Sequence, residues 1–311
     1  MRYRDTRGND DLVGTAADDI FLIRRGIDRV EGGYGTDRMR VDYGTLEMAG
    51  YARDTINADQ NGDYNGVFHG ADGTSVTFGG LEQISYIGSN APNLLTVTLD
   101  GPAWVGGLKI DGGGGQDALD LYLDGPSGEI VQVMADGALS TRLGTFAGFE
   151  RLAVFLGGGN DAANGGANAD YFYGGTGFDR LRGGGGDDFL YGGRDDDELS
   201  GGTGADRFYY FKASDSRGFN QDEIMDFSHA EGDRIDLSRI DANPDFERNQ
   251  AFAFIDGRAF TGPGGSGGEI RQQVHGDGTI TVEGDRNGDG VADFAILVHA
   301  VAPLVAADFV L

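Results

Sequence analysis

A nine-residue pattern, Gly-Gly-x-x-x-Asp-x-apolar-x, recurs at fixed spacing from Gly165. Units begin at Gly165, Gly174, Gly183, Gly192 and Gly201, and a degenerate one begins at Leu156. Their sixth position holds Asp161, Asp170, Asp179, Asp188, Asp197 and Asp206 without exception. Their eighth holds Ala163, Phe172, Leu181, Leu190, Leu199 and Phe208, all apolar. Such a period marks a stacked repeat in which each unit buries its apolar face only against its neighbours. The same period is more worn at the N-terminus. Units starting at Asp5, Gly14, Ile23 and Gly32 put Asp10, Asp19, Asp28 and Asp37 at position six, with Leu12, Phe21, Val30 and Met39 at position eight. A lone unit lies between the blocks at Gly112–Asp120, with Asp117 in sixth place.

The repeat dictates a geometry. Six residues make a turn, with glycine where φ is positive or backbones approach closely, and three make a short strand whose middle residue points inward. At the fourth position Asn168 and Asp195 replace glycine, both being residues that tolerate left-handed backbone. Two units complete a right-handed coil of 18 residues, and successive coils lie about 4.8 Å apart. Units n and n+2 then stack Asp161 on Asp179 on Asp197 along one edge, and Asp170 on Asp188 on Asp206 along the other. Asp10 pairs with Asp28, and Asp19 with Asp37, in the same way. Carboxylates so placed repel by roughly 1–3 kcal/mol per pair. A calcium ion between them converts repulsion into ligation, with loop carbonyls completing the oxygen shell. In the plainer alternative, the aspartates only cap turns.

Composition sharpens this. Of 311 residues 57 are Gly; 40 Asp and 11 Glu oppose 22 Arg and 2 Lys, for a formal charge of -27. Asp is a turn residue whose carboxylate bends back to local backbone, so abundant Asp and Gly together mean acid concentrated in turns. The charge argues against nucleic acid as a partner, since a phosphate-tracking surface needs a basic stripe. Absent cysteine excludes disulfides, thiolate metal sites and a cysteine nucleophile. Hydrophobic content of 39% is too high for a disordered chain.

These nonapeptides resemble those of the RTX, or hemolysin-type calcium-binding, proteins. The C-terminal third adds a second likeness. Gly201-Gly202-Thr203-Gly204-Ala205-Asp206 is followed by Asp222-Glu223-Ile224-Met225-Asp226-Phe227, by Gly232-Asp233-Arg234-Ile235-Asp236-Leu237-Ser238, and by terminal Ala307-Asp308-Phe309-Val310-Leu311. That succession is similar to the C-terminal domain of serralysin-type proteases and other type I secretion substrates. The resemblance covers roughly residues 157–311 well and 5–40 moderately. It implies several Ca2+ ions, export by the type I secretion machinery through an uncleaved C-terminal signal, and a secreted, extracellular location. It does not extend to proteolysis: His69, His229, His275 and His299 are isolated, so no zinc-binding His-Glu-x-x-His helix is present.

The middle is read from an internal echo. Thr77-Phe78-Gly79-Gly80-Leu81-Glu82-Gln83-Ile84 matches Thr145-Phe146-Ala147-Gly148-Phe149-Glu150-Arg151-Leu152. Each follows a polar strand-forming stretch, 41–77 and 121–144, expected to form a hairpin excursion from a continuing solenoid. Val97, Leu99, Leu108, Ile110, Leu119 and Leu121 should face inward there, and Trp104 should be core or cap.

Two further loops carry oxygen ligands. Asp59-Gln60-Asn61-Gly62-Asp63 opens like a calcium loop but lacks the later carboxylate, and is read as a plain turn. In Asp285–Asp293, Asp285, Asn287 and Asp289 occupy ligand positions of an EF-hand-like loop, with Ile296 where its bidentate Glu belongs. Calcium, or a hairpin turn between Ile280–Glu283 and Phe294–Val298, are the two readings. Gly264-Gly265-Ser266-Gly267-Gly268 mimics a nucleophile elbow but follows Pro263 in a glycine loop, and is read as linker.

The expected fold is all-β: a right-handed parallel β-roll or β-solenoid with bound calcium, hairpin excursions and a β-rich serralysin-like cap. Its expected parts are an N-terminal roll at 1–40, a solenoid with excursions at 41–156, the main roll at 157–209 and the cap at 210–311. No signal peptide of the Sec type opens the chain and no apolar stretch spans a membrane. Three functions fit. The first is a secreted calcium-binding structural or interaction protein, not an enzyme, with a cell-surface or matrix polysaccharide as partner. The second is a folding and secretion module of an enzyme such as a protease, lipase or polysaccharide epimerase. The third is a polysaccharide-active enzyme on the solenoid itself, for example a lyase using carboxylates and Arg in 41–156.

Overall fold

The computed structural model describes every residue except 7, 44–51, 59–62, 70–74, 82, 89–91, 101–106, 126–129, 134–138, 142, 143, 218–220, 245–248 and 263–267. Asp59–Gly62, Trp104, Glu82 and Gly264–Gly267 therefore lie outside the described residues, as does the Leu99 side chain. Two compact units divide the chain, Met1–Gly157 and Gly158–Leu311. Among the described residues there is no α-helix, so none is long and apolar enough to cross a membrane.

In the first unit one sheet runs β1 (Arg2–Arg4), β3 (Ile20–Ile23), β5 (Arg38–Asp42), β9 (Gln83–Ile87), β11 (Leu108–Asp111), β15 (Gly144–Ala147), β14 (Leu139–Thr141) and β13 (Ile130–Val133). The other runs β2 (Asp11–Val13), β4 (Ile27–Glu31), β8 (Ser75–Leu81), β7 (Tyr64–His69), β6 (Ala52–Ala58), β10 (Asn93–Asp100), β12 (Ala118–Gly125) and β16 (Arg151–Gly158). Parallel pairing steps by 18 residues where the repeat is intact, as in Arg2↔Ile20↔Arg38 and Asp11↔Arg29. The excursions are found, and each is absorbed into a sheet as an antiparallel meander. β6, β7 and β8 lie between β4 and β10. β13 and β14 pair antiparallel beside β15. The two echoes mark where the chain leaves a meander and resumes parallel coiling, from β8 into β9 and from β15 into β16.

In the second unit β17 (Ala162–Asn164), β19 (Arg180–Gly185), β21 (Glu198–Thr203) and β23 (Glu223–Phe227) continue through β28 (Phe294–Ala300), β27 (Thr279–Asp285), β26 (Glu269–Val274) and β25 (Ala253–Phe254). The facing sheet is β18 (Tyr171–Thr176), β20 (Phe189–Arg194), β22 (Arg207–Tyr209), β24 (Arg234–Asp236) and β29 (Phe309–Val310). The register is again 18, in Ala162↔Arg180↔Glu198 and Tyr171↔Phe189↔Arg207. Strands here are longer than the repeat suggests: β19, β20 and β21 each hold six residues. The paired glycines extend the strand because bare backbones of adjacent coils still bond, as Gly184 does with Gly202. Only three residues remain for the turn.

The core is the column of eighth positions. Phe172, Leu181, Leu190, Leu199 and Phe208 are fully buried, as are Phe21 and Val30. Leu12, on the edge strand β2, is only half-buried. In the middle region Val97, Leu108, Ile110, Leu119 and Leu121 face inward as expected. Each fully buried large side chain stabilises by roughly 1.5–3 kcal/mol, but a coil of the main roll carries only two of them, such as Phe172 and Leu181.

Candidate metal centre

Each turn delivers its sixth-position Asp into the wall between coils. The backbone N–H of Asp161 donates to Oδ1 of Asp179 at 2.8 Å, and that of Asp179 to Asp197 at 2.9 Å. On the other edge Asp170 donates to Asp188 at 2.7 Å and Asp188 to Asp206 at 2.9 Å. The N-terminal block repeats this, Asp10 to Asp28 at 2.9 Å and Asp19 to Asp37 at 2.8 Å. The stacked pairs read from the spacing are therefore in register.

In each pair one oxygen of the accepting carboxylate is thus spent on backbone. The second divides the ladder into two kinds. Oδ2 of Asp10, Asp19 and Asp170 accepts a backbone N–H of its own turn, from Thr6, Thr15 and Gly166. Oδ2 of Asp28, Asp179, Asp188, Asp197 and Asp206 is buried and accepts no hydrogen bond. Buried carboxylate oxygens without a donor are costly. Their surroundings are oxygen. A Cβ on Gly174 would stand 2.2 Å from Asp179 Oδ2 and 2.4 Å from the Gly192 carbonyl oxygen of the next coil. Only glycine leaves room there. Asp195 does take left-handed backbone, with φ at 77°, whereas Asn168 does not.

Burial, opposed by the backbone donor and reinforced by neighbouring carboxylates, pushes these acids up. Asp188 and Asp197 rise to about 8, Asp179 to about 7, and Asp28 and Asp206 to about 6. A hard cation with oxygen donors reverses that penalty. Among the described residues no three carboxylate or imidazole groups converge. The stack supplies carboxylates in pairs, so carbonyl oxygens must complete any shell.

The ladder is longer than the repeat. Asp197 donates its N–H to Asp222 Oδ1 at 3.1 Å, and Asp206 to Asp233 Oδ1 at 3.0 Å. Asp222 and Asp233 are buried, and burial raises both. Asp117, in the lone repeat, donates to Glu150 Oε2 at 2.7 Å, so a glutamate from the second echo takes the next coil's place. All three lie two residues before an inward apolar residue, Ile224, Ile235 and Leu152. That offset, without the glycines, was the signal in the sequence.

The Asp285 loop is organised differently. Its carboxylate is buried and accepts N–H from Gly288 at 2.8 Å and Gly290 at 2.9 Å. Asn287 and Asp289 side chains accept from Asp289 and Val291 N–H. This joins antiparallel β27 and β28 as a hydrogen-bonded hairpin loop, and Asp285, Asn287 and Asp289 form no stacked pair.

The solution structure of the AlgE6R3 subunit from the Azotobacter vinelandii mannuronan C5-epimerase is similar at 28% identity, covering 49% of this chain and 77% of its own, with a TM-score of 0.36. No curated protein matches. The family model Peptidase M10 serralysin C terminal matches residues 156–311, which takes in the main roll, Asp222, Asp233 and the closing strand β29. With that match extending over 156 of its 311 residues, the chain belongs to the serralysin C-terminal family of the M10 peptidases.

Proposed function

We propose that this chain is a secreted calcium-binding protein that folds on Ca2+ outside the cell and acts as a structural or interaction protein at the cell surface or in a matrix. In this reading it is not an enzyme, and its partners are calcium, the type I secretion machinery and a surface or matrix polysaccharide. The observation that carries it is the set of buried, donor-less Oδ2 atoms on Asp179, Asp188, Asp197 and Asp206. Each packs against the first glycine of its own turn, Gly174, Gly183, Gly192 or Gly201, and each is an acid that burial makes reluctant to ionise.

The residues that would hold calcium are Asp161, Asp170, Asp179, Asp188, Asp197 and Asp206, extended by Asp222 and Asp233. Asp10, Asp19, Asp28 and Asp37 would do so in the N-terminal block, and Asp117 with Glu150 between. Bound calcium supplies the positive charge between coils, and the chain supplies carboxylates and carbonyls. With a dissociation constant near 10⁻⁴ M per site, each contributes roughly 1.4 kcal/mol at about 1 mM calcium. The four pairs between repeats of the main roll and the two of the N-terminal block alone amount to about 8 kcal/mol, the size of a typical domain's whole stability. At submicromolar calcium that sum nearly vanishes, so the chain stays unfolded inside and folds after export.

Circular dichroism across a calcium titration tests this. The β signal should appear with calcium and disappear in excess chelator; a full signal persisting in chelator overturns it. The serralysin match also favours a second reading, a folding and secretion module of a larger secreted enzyme. A coding region continuous with Met1 and upstream of it would support that reading.

A further inference from the structure

Charge is segregated along this chain. Residues 1–40 hold eight Arg against seven Asp and one Glu, a net of zero, so the whole excess of -27 lies beyond them. The arginines are also ordered. On the outer face of the first sheet, Arg4 is in register with Leu22, Arg40, Ser85 and Lys109 across β1, β3, β5, β9 and β11. A cation thus stands on every second strand, about 9.6 Å apart. Beside this row Arg2 and Arg38 repeat the interval, with Ile20 between them. All five cations are exposed. Arg40 lies 3.7 Å from Asp42; Arg2, Arg4, Arg38 and Lys109 have no ion pair among the described residues. Two grooves, of about 610 and 370 Å³, share Arg2, Leu22 and Arg40 and join into one surface.

In a chain with twice as many acids as bases, unpaired cations on one sheet face call for an external anion. We infer that this face binds an extended carboxylated polysaccharide of the polyuronate type. Charge spacing selects it. Duplex DNA carries a charge every ~1.7 Å of axis, far denser than this grid, and would meet the strongly acidic remainder of the molecule. A polyuronate carries one carboxylate per sugar, and in an extended chain alternate sugars turn theirs to the same side. Arginine forks receive carboxylates bidentately, while half-buried Leu22 and exposed Ile20 offer apolar floor to the sugar rings between. This names the partner of the surface-or-matrix reading and rests on it for its setting.

The test is binding of the full chain, in calcium and low salt, to polygalacturonate, neutral dextran and duplex DNA, with circular dichroism on the same samples. Polygalacturonate should bind, dextran should not, and added salt should weaken the complex. The triple variant Arg4→Gln, Arg40→Gln, Lys109→Gln should weaken it about tenfold or more. Arg180→Gln with Arg182→Gln, which removes arginines already paired to Glu198, should leave it unchanged. A folded chain that ignores polygalacturonate, binds DNA as tightly, or is indifferent to the triple variant overturns this inference and leaves the calcium reading intact. Fold and binding that both survive chelator overturn the calcium reading alone.

Discussion

At the scale of single residues, the ladder aspartates are unfavourable groups in the bare chain, and this gives a mutation an effect whose sign depends on the metal. Asp188 touches two coils: it donates to Asp206 and accepts from Asp170. Asp188→Asn keeps that geometry and removes a buried charge. In chelator, where the parent is unfolded at neutral pH, the variant should need less acidification to acquire β signal; in about 1 mM calcium it should lose two rungs, about 3 kcal/mol. Acid titration in chelator and thermal melts in calcium, followed by circular dichroism for both proteins, check this, and a change of the same sign in each would refute a metal-ligating role. Acid should imitate calcium for the same reason. Asp188 and Asp197 rise to about 8 and Asp179 to about 7 in the fold, against roughly 3.9 unfolded. Between those values the folded state holds more protons, so what these three groups contribute to metal-free stability is fully present below about pH 4 and is lost as pH rises through 7–8. The chelated chain, unfolded at about pH 8.5, should therefore gain β signal at about pH 5; a signal that instead grows as pH rises would contradict the burial of these groups. Asp222, Asp233 and Glu150 escaped the sequence reading because their turns lack the glycine pair. What places them is not a motif but the inward residue two positions on.

Elements obey the 18-residue step more strictly than the nine-residue one. Alternate units feed opposite sheets, and their outer faces differ: Tyr171 stacks on Phe189 at 4.7 Å on one sheet, while Arg180 and Arg182 pair with Glu198 on the other. Deleting residues 174–191 removes one full coil and leaves every downstream strand in its own sheet. That protein should fold and bind two fewer calcium ions, one for each of Asp179 and Asp188. Deleting 174–182 instead moves each downstream strand to the wrong sheet, and β23, β24, β28 and β29 lose their partners. It should not fold cooperatively. Circular dichroism with calorimetric counting of calcium separates the two, and equal behaviour would show that the coil is not the structural unit. The period that makes this prediction was legible because each turn carries its own Asp and glycines. The meander β6–β8 was legible only as an excursion. Its strands are polar and alternate like any half-exposed strand, and nothing local says that β7 runs antiparallel between β8 and β6 inside the sheet. That placement is decided by β4 and β10, whose open edges accept β8 and β6. The six-residue strands were missed for a related reason: glycine reads as turn, yet opposite another glycine it pairs.

For the whole molecule, two physical accounts explain why the metal-free chain should stay expanded, and they make different predictions. In one, the excess of 27 negative charges repels over long range. In the other, the opposition is local, between buried carboxylates one coil apart. Long-range repulsion is screened by simple salt, since the Debye length falls to about 3 Å at 1 M; buried pairs are screened much less. Residues 1–40 carry no net charge yet hold the same ladder of Asp10, Asp19, Asp28 and Asp37, so charge excess and ladder are separable within this one chain. Small-angle scattering can distinguish the accounts. An unfolded chain of this length has a radius of gyration of about 60 Å, and calcium should reduce it by about half or more. In chelator with about 1 M sodium chloride, where the Debye length is ~3 Å, the radius should stay near the unfolded value, because sodium screens charge without bridging coils. Full compaction by sodium alone would assign the switch to net charge and leave the paired aspartates without a role in it.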